Sequence, residues 1–295
     1  MTTAAGFRLI AAPVTVFGDD GELDLGATRT LFGWLRECGV DGLFTPGTTG
    51  EFTALEDGER LAVIEAALEE FGPDDVIAHV GGATTRQTLR LARAAQQAGA
   101  RRLAAITPYY FPAGEEALLE HVKRVTDASA GASVYLYVFP ARAGTTVAPE
   151  ALARLATVPG LVGAKISGLS FAANEAYREA VPTGFDLFSG NDLDLVRLAE
   201  AGFAGVVSGV SNVFPELFVK AARAVAAGRG AEELQPQLDA AVAATGVADI
   251  GVLKAGLTRR GLAAGIPRIS IDPPTRQQLA ALEDTAQFEP ARHSL

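Results

Sequence analysis

The sequence predicts an α/β fold, a (β/α)₈ TIM barrel followed by a helical C-terminal extension, and three observations support this prediction. Short apolar runs alternate with longer segments of helical period, which is typical of βα units in a parallel sheet. Eight such runs occur, the number that closes a barrel. The chain has 295 residues, whereas a barrel needs about 250, so a remainder is expected at the C-terminus. A doubly wound open sheet would show the same alternation and is the alternative.

The eight candidate strands are rich in Val, Ile, Leu and Phe. They span residues 8–12, 42–45, 76–80, 102–106, 134–138, 161–166, 185–188 and 205–208. Parallel neighbours need long connections, and helices are expected at 24–37, 56–71, 84–98, 115–130 and 192–201. Beyond the last strand, helical patterns follow one another at 215–227, 231–244 and 251–263. We therefore expect a catalytic barrel over residues 1–225 and a helical extension over 226–295.

The composition disfavours several classes of protein. A net charge of −10 argues against nucleic acid and anionic membranes as partners, because both attract basic surfaces. Cys38 is the only cysteine, and His79, His121 and His293 are too scattered for an obvious metal cage. The sequence shows no secretory signal and no apolar run of about 18 residues. We expect a cytoplasmic globular protein without a metal site.

Lysine is rare in this chain, and one lysine has an unusual position. The four lysines are Lys123, Lys165, Lys220 and Lys254. Three of them lie in segments that read as helices with polar faces, whereas Lys165 lies on the predicted sixth strand, which a barrel covers on both faces. Burial lowers the pKa of an amine, and a neutral amine can attack a carbonyl carbon to form a Schiff base. The alternative is a lysine that reaches solvent from the strand's end or pairs with a carboxylate.

Further unusual residues follow other predicted strands at their carboxyl ends, where barrel enzymes place their active sites. PGTTGE after strand two contains Thr48 and Thr49, whose hydroxyls could bind a carboxylate, although an isolated GTTG is more typical of an ordinary turn whose threonine caps the next helix. TPYYFP after strand four contains Tyr110. YLYVFPARAG at strand five contains Tyr137 and Arg142. Core or interface aromatics and a surface cation are the alternatives for these three residues.

Together, GTTGE, TPYY, YxxPxRxG and a lysine 28 residues after that tyrosine resemble the family of 4-hydroxy-tetrahydrodipicolinate synthase and N-acetylneuraminate lyase. The similarity runs from the first strand and GELDL through SGND at 189–192 to VVSGVSN at 206–212. The resemblance covers nearly the whole chain, and four motifs in the same order are far more specific than any one of them.

The resemblance implies a class I pyruvate-dependent aldolase or lyase in which Lys165 forms a Schiff base with pyruvate or a longer 2-oxo acid. It implies that Tyr137 transfers protons and that Thr48 and Tyr110 are its relay partners. The implied substrate-binding residues are Thr49 for the pyruvate carboxylate, Arg142, Val207 and Gly190. It further implies a homotetramer, a dimer of dimers in which Tyr110 crosses from a neighbouring subunit, with no metal or organic cofactor.

The residues around the site point in two directions for the second substrate, the aldehyde that reacts with pyruvate. Arg142 matches the arginine with which the synthase grips aspartate semialdehyde, yet Val138, Ala143, Ile166 and Ser167 depart from the synthase pattern. TPYYFP and VSGVSNVFPEL resemble 2-keto-3-deoxygluconate aldolases instead. We expect the small-molecule substrates to be pyruvate and an aldehyde, joined in a hydroxy-2-oxo acid of the 2-oxo-3-deoxy sugar-acid type. Synthase activity is the alternative.

Two other interpretations concern regulation and catalysis. Ala83 and Gln87 stand where lysine-regulated synthases place Asn and Glu, so the resemblance gives no support for lysine feedback. A noncatalytic protein that binds a 2-oxo acid is the alternative from another class, and such a protein would be expected to have lost Lys165 or Tyr137.

Overall fold

The computed structural model describes residues 6–285, in which eight parallel strands form a closed barrel. The strands are β1 (Arg8–Ala11), β2 (Gly42–Thr45), β3 (Val76–His79), β4 (Arg102–Ile106), β5 (Ser133–Val138), β6 (Leu161–Ile166), β7 (Asp186–Ser189) and β8 (Gly205–Ser208). Neighbours pair in chain order, and β8 pairs with β1 to close the sheet. The predicted fold class is confirmed, and the open doubly wound sheet is excluded.

All eight predicted strands occur, and their bounds differ from the prediction by one residue at most. The seventh strand begins at Asp186 and includes Ser189, one residue later than predicted at each end. Polar residues at strand ends explain this difference, because period and apolar content locate the middle of a strand better than its limits.

Helices surround the barrel and continue beyond it. They are α1 (Leu25–Glu37), α2 (Asp57–Phe71), α3 (Thr85–Gln97), α4 (Glu115–Ala128), α5 (Pro140–Ala143), α6 (Pro149–Leu155), α7 (Phe171–Ala180), α8 (Leu195–Glu200), α9 (Pro215–Ala226), α10 (Gln235–Ala244), α11 (Ile250–Arg259) and α12 (Arg276–Thr285). Within residues 6–285, none of these helices is long and apolar enough to cross a membrane.

Capping side chains determine where several of these helices begin. Asp24 accepts a hydrogen bond from the Ala27 N–H at the start of α1, and Thr84 does the same for α3. Glu56 and Glu59 form a reciprocal capping box at the start of α2. Such caps satisfy N–H groups that have no partner in the first helical turn.

Side chains fill the barrel interior, so the active site can lie only at one of its ends. The interior cluster is predominantly apolar and aromatic, and its members include Ile10, Phe44, Ile77, Ala104, Ile106, Tyr135, Tyr137, Phe188 and Val207. A second, larger cluster fills the layer between strands and helices. This double burial accounts for the continuous apolar runs from which the strands were predicted.

The predicted helix at 192–201, which lies before β8, begins as a 3₁₀ turn at Asp192–Asp194 that leads into α8. The C-terminal part of the described chain is helical, as predicted, with three differences. Helix α11 ends at Arg259, four residues before the predicted end at 263. The predicted helix at 231–244 likewise begins as a 3₁₀ turn, and α12 was not predicted because residues 276–285 are largely polar and show little apolar period. Helix α9 packs against β1. The boundary between residues 225 and 226 stays a prediction, and residues 286–295 of the predicted extension lie outside the described residues.

One interpretation of the lysines is wrong. Lys254 does not lie on a solvent-facing surface, because the residue is only 1% exposed and its amine forms a 2.8 Å ion pair with the equally buried Glu51. Helix α11 is apolar around most of its circumference, so the lysine enters the interior. A single sequence gives no sign of its partner, which lies 203 positions earlier.

Candidate active site

A cavity of about 630 Å³ opens at the carboxyl ends of the strands. Seven of the eight site residues suggested by the sequence line it: Thr48, Thr49, Tyr137, Arg142, Lys165, Gly190 and Val207. These seven residues come from strands β5, β6 and β8, from the loops that follow β2 and β7, or, for Arg142, from the short helix α5 that follows β5. The barrel thus brings together residues up to 159 positions apart in the sequence.

Lys165 is buried in this cavity at the carboxyl end of β6. Its side chain is 5% exposed, and its Nζ lies 4.2 Å from the ring centroid of Phe44 and 4.4 Å from that of Tyr137. Burial lowers the pKa of Lys165 to about 7, and the negative charge of Asp192 partly opposes this shift. A substantial fraction of the amine is therefore neutral near pH 7, as nucleophilic attack on a carbonyl requires.

Tyr137 lies directly beside the lysine. The two residues are aligned partners on β5 and β6, and the Tyr137 side chain is 1% exposed. Burial raises the pKa of the Tyr137 phenol, while hydrogen bonds with Thr48 and Ser167 act in the opposite direction. The phenol is therefore protonated at neutral pH and can donate a proton to a neighbouring oxygen.

The loop after β2 brings Thr48 to this phenol, with 3.1 Å between the Thr48 Oγ1 and the Tyr137 hydroxyl oxygen. Either hydroxyl can be the donor, which is the property that a proton relay needs. The loop is packed closely against its surroundings, since the Thr15 hydroxyl donates to the Gly50 carbonyl at 2.7 Å. A Cβ on Gly50 would lie only 3.1 Å from the Pro13 carbonyl oxygen.

Gly190 and Val207 shape the space around the amine. A Cβ on Gly190 would collide with the Ser167 hydroxyl oxygen and lie 3.6 Å from Cε of Lys165. The absence of a side chain at Gly190 thus leaves room next to the amine. Val207 is 2% exposed and presents an apolar wall to the same cavity.

Arg142 and Tyr110 lie farther out than the other predicted residues. Arg142 belongs to the single turn α5 at the cavity rim, and its exposed guanidinium has no hydrogen-bond or ion-pair partner among residues 6–285. Tyr110 does not line the cavity of its own chain; it is 84% exposed, in a backbone conformation with a φ of 75°. Its neighbour Tyr109 lines the cavity instead. The proposed relay role of Tyr110 across a subunit contact stays a prediction.

Asp192 lies in the SGND motif but was not among the site residues predicted from the sequence. The carboxylate is 7% exposed, lines the cavity, and has one buried oxygen, Oδ1, without a hydrogen-bond partner among the described residues. Burial raises the pKa of Asp192 to about 6, against hydrogen bonds from Ser208 and two backbone N–H groups. An acidic residue just after a barrel strand was the signal that could have identified it.

The C-terminal extension forms the outer wall of the cavity, which the sequence analysis also missed. This wall is mainly apolar, and its members include Val247, Ala248, Ile250, Ile269 and Ile271. Ordinary apolar residues in a helical region carry no local sign that they face a substrate cavity. In the described part of the chain, no group of three or more His, Cys, Asp or Glu side chains could hold a metal ion.

Comparison with known proteins identifies relatives along nearly the whole chain. The sequence profile of the dihydrodipicolinate synthetase family matches residues 6–288. A 4-hydroxy-tetrahydrodipicolinate synthase of Streptomyces coelicolor is 36% identical over 282 residues, which cover 93% of this chain and 91% of the relative. A DapA-like lyase of Halobacterium salinarum is 37% identical over 216 residues, covering 72% of this chain and 70% of the relative.

A similar solved structure is that of YagE from Escherichia coli K12, a prophage protein of the dihydrodipicolinic acid synthase family in complex with pyruvate. It superposes with a TM-score of 0.86 at 29% identity and covers 94% of this chain and 97% of its own.

Proposed function

Because the chain belongs to the dihydrodipicolinate synthetase family, a family of pyruvate-dependent class I aldolases, we propose that Lys165 forms a Schiff base with pyruvate. The observation that supports this role most directly is the buried amine, whose pKa of about 7 makes it nucleophilic at neutral pH. Its neighbours Tyr137 and Thr48 supply hydroxyls that can carry protons.

The reaction follows from these groups. The Lys165 amine adds to C2 of the 2-oxo acid, and the carbinolamine loses water, with a proton from Tyr137, to form an imine. The protonated imine withdraws electrons from C3. During cleavage the C4 hydroxyl gives its proton to the Tyr137 phenolate, the C3–C4 bond breaks, and its electron pair forms an enamine as an aldehyde departs. Tyr137 returns this proton to C3, and hydrolysis of the resulting imine releases pyruvate and the free amine.

For the longer substrate, we propose a hydroxy-2-oxo acid of the 2-oxo-3-deoxy sugar-acid type. Two features support this proposal. The unpartnered Oδ1 of Asp192 can accept a hydrogen bond from a substrate hydroxyl. The unpaired guanidinium of Arg142 can bind a distal carboxylate through two parallel hydrogen bonds. A cavity of about 630 Å³ has room for more than pyruvate.

The second candidate is 4-hydroxy-tetrahydrodipicolinate synthase activity, in which pyruvate condenses with aspartate semialdehyde. Arg142 also favours this candidate, because that aldehyde carries a carboxylate next to its amino group. The 36% identity to the Streptomyces coelicolor synthase supports it as well.

Borohydride trapping tests the Schiff base. Incubation with pyruvate and borohydride should reduce the imine and add a covalent mass to the peptide that contains Lys165, whereas Lys165→Met should gain none. An unlabelled wild-type protein would refute both candidates and leave a noncatalytic 2-oxo acid binding protein.

A second experiment identifies the acceptor aldehyde. Pyruvate is offered together with glyceraldehyde, tartronate semialdehyde, N-acetylmannosamine or aspartate semialdehyde, and the condensation product is measured. Condensation with aspartate semialdehyde alone would establish the synthase candidate.

A further inference from the structure

Glu51 connects the catalytic loop after β2 to the C-terminal extension. Its carboxylate is buried, and one oxygen forms a 2.8 Å ion pair with Nζ of Lys254 on α11. The other oxygen accepts hydrogen bonds from the backbone N–H groups of Arg268 at 2.7 Å and Ile269 at 2.9 Å. A single side chain therefore binds two parts of the extension that lie more than 200 positions away.

The partners of Glu51 are themselves held in place. Besides its ion pair with Glu51, Lys254 donates a hydrogen bond to the Ile266 carbonyl at 2.9 Å. The Arg268 guanidinium forms two hydrogen bonds with the Glu59 carboxylate at 2.7 and 2.9 Å, and another with the Ala54 carbonyl. The segment around residues 266–269 is thus fixed to the loop and to α2. Because Ile269 lines the cavity, this arrangement also fixes part of the cavity wall.

On its other side, Glu51 contacts the catalytic loop through its backbone. Its N–H donates to the Thr48 carbonyl at 3.0 Å, and only two residues separate it from that threonine. Its φ of 55° is a conformation that favours glycine. A residue with a side chain adopts this backbone here, and both carboxylate oxygens of that side chain contact the extension. The contacts of the carboxylate therefore help to determine where the Thr48 hydroxyl lies.

We propose that Glu51 is a positioning residue for catalysis, which holds the Thr48 hydroxyl against Tyr137 by binding the loop to Lys254 and residues 268–269. This inference rests on the proposed Schiff-base function. It assigns to the C-terminal extension a part in placing the proton relay, in addition to forming the cavity wall. Glu51 itself does not touch the reacting atoms.

The test uses exchange of the pyruvate methyl hydrogens with deuterium, followed by proton NMR, because this reaction needs only the enamine and no acceptor aldehyde. Glu51→Gln keeps the size of the side chain but places an amide against the Lys254 ammonium. We expect exchange to slow by about 10- to 100-fold, the cost of a misplaced catalytic group, while borohydride trapping still labels Lys165.

A double-mutant comparison separates positioning from general stability. Thr48→Val removes the hydroxyl that Glu51 is proposed to place. If Glu51 acts through Thr48, adding Glu51→Gln to Thr48→Val should change the exchange rate by less than about twofold, because coupled residues are not additive. Losses that multiply in the double variant would overturn the proposal, as would an unchanged rate in Glu51→Gln alone.

Controls address folding and the underlying function. Glu216→Gln removes the carboxylate of another ion pair, with Arg260, at a site that does not line the cavity, and it should keep the wild-type exchange rate. If Glu51→Gln alone does not fold, Glu51→Gln/Lys254→Met removes both buried charges, and the same comparison with Thr48→Val applies. A wild-type protein that pyruvate does not label refutes the proposed function and this role with it. A labelled wild-type protein with multiplicative losses refutes only the role of Glu51.

Discussion

Lys165 and Tyr137 are aligned partners on adjacent barrel strands, with the amine nitrogen 4.4 Å from the centroid of the phenol ring. Strand pairing fixes this relationship, since neighbouring residues in register point to the same face of a sheet. The amine gains proximity to a proton donor, and the ring helps to exclude water from it. The same contact therefore lowers the pKa of Lys165 and supplies the acid that its reaction needs.

The pH dependence of imine formation should report the pKa of Lys165. With a pKa of about 7, the neutral amine predominates above that pH, so the rate should rise with pH and level off above about 7, falling about tenfold per unit well below it. Asp192 opposes the lowering of this pKa, and Asp192→Asn should therefore move the midpoint to lower pH. Pyruvate labelling with borohydride, measured at short times across the pH range, provides the profile. A midpoint that stays fixed or moves to higher pH would show that the charge of Asp192 does not raise the pKa of the Lys165 amine.

Removal of the Tyr137 hydroxyl should separate imine formation from proton transfer. We expect Tyr137→Phe to retain a borohydride-trappable imine while deuterium exchange at the pyruvate methyl group falls by roughly 10²-fold, as for loss of a general acid–base group. Tyr135→Phe is the matched control. Tyr135 is buried on the same strand, but its hydroxyl contacts Arg102 and Asp186 away from the cavity. Near-normal exchange in Tyr137→Phe would remove this phenol from the mechanism.

The barrel and the inner part of the site could be predicted from the sequence because their signals are local. Each strand is one apolar run, and Lys165 and Tyr137 lie at the ends of such runs. The strand-to-site relationship of barrels then places both residues at one rim. The family resemblance added Gly190 and Val207, and it gave expected roles to Thr48 and Thr49, which their position after strand two had already singled out.

The rest depends on contacts between distant parts of the chain, which a single sequence does not reveal. Lys254 resembled a surface lysine until its partner Glu51 was known. The apolar wall formed by Ile269 and Ile271 has no motif. The unpartnered Oδ1 of Asp192 can be recognised only once the carboxylate is seen to be buried in the cavity. The burial of a side chain and the identity of its partner depend on the whole fold, whereas a motif is recognised within one segment of the sequence.

Arg142 should determine the preference for acidic acceptors. Arg142→Ala is expected to raise KM for tartronate semialdehyde or aspartate semialdehyde by about 10-fold or more, because a hydrogen bond to a charged group contributes about 1.5–3 kcal/mol. KM for glyceraldehyde should change little. Arg154→Ala is the control, because Arg154 pairs with Glu115 at the surface and does not line the cavity. Equal effects on acidic and neutral aldehydes would show that Arg142 has a structural role.

A side chain at Gly190 should obstruct the reacting amine. Gly190→Ala places a methyl group in collision with the Ser167 hydroxyl and in van der Waals contact, at 3.6 Å, with Cε of Lys165, so the serine hydroxyl must move and the space beside the amine is filled. We expect pyruvate labelling to slow by about 10-fold or more, since small displacements of reacting groups are costly, while the thermal midpoint changes by only a few degrees. Gly58→Ala is the matched control, because a Cβ there meets nothing within 4 Å and alanine favours its helix α2. Its labelling rate should equal that of the wild-type protein. Unchanged labelling in Gly190→Ala would mean that the space beside the amine is not needed for pyruvate, and that Lys165 meets its substrate from another side of the cavity.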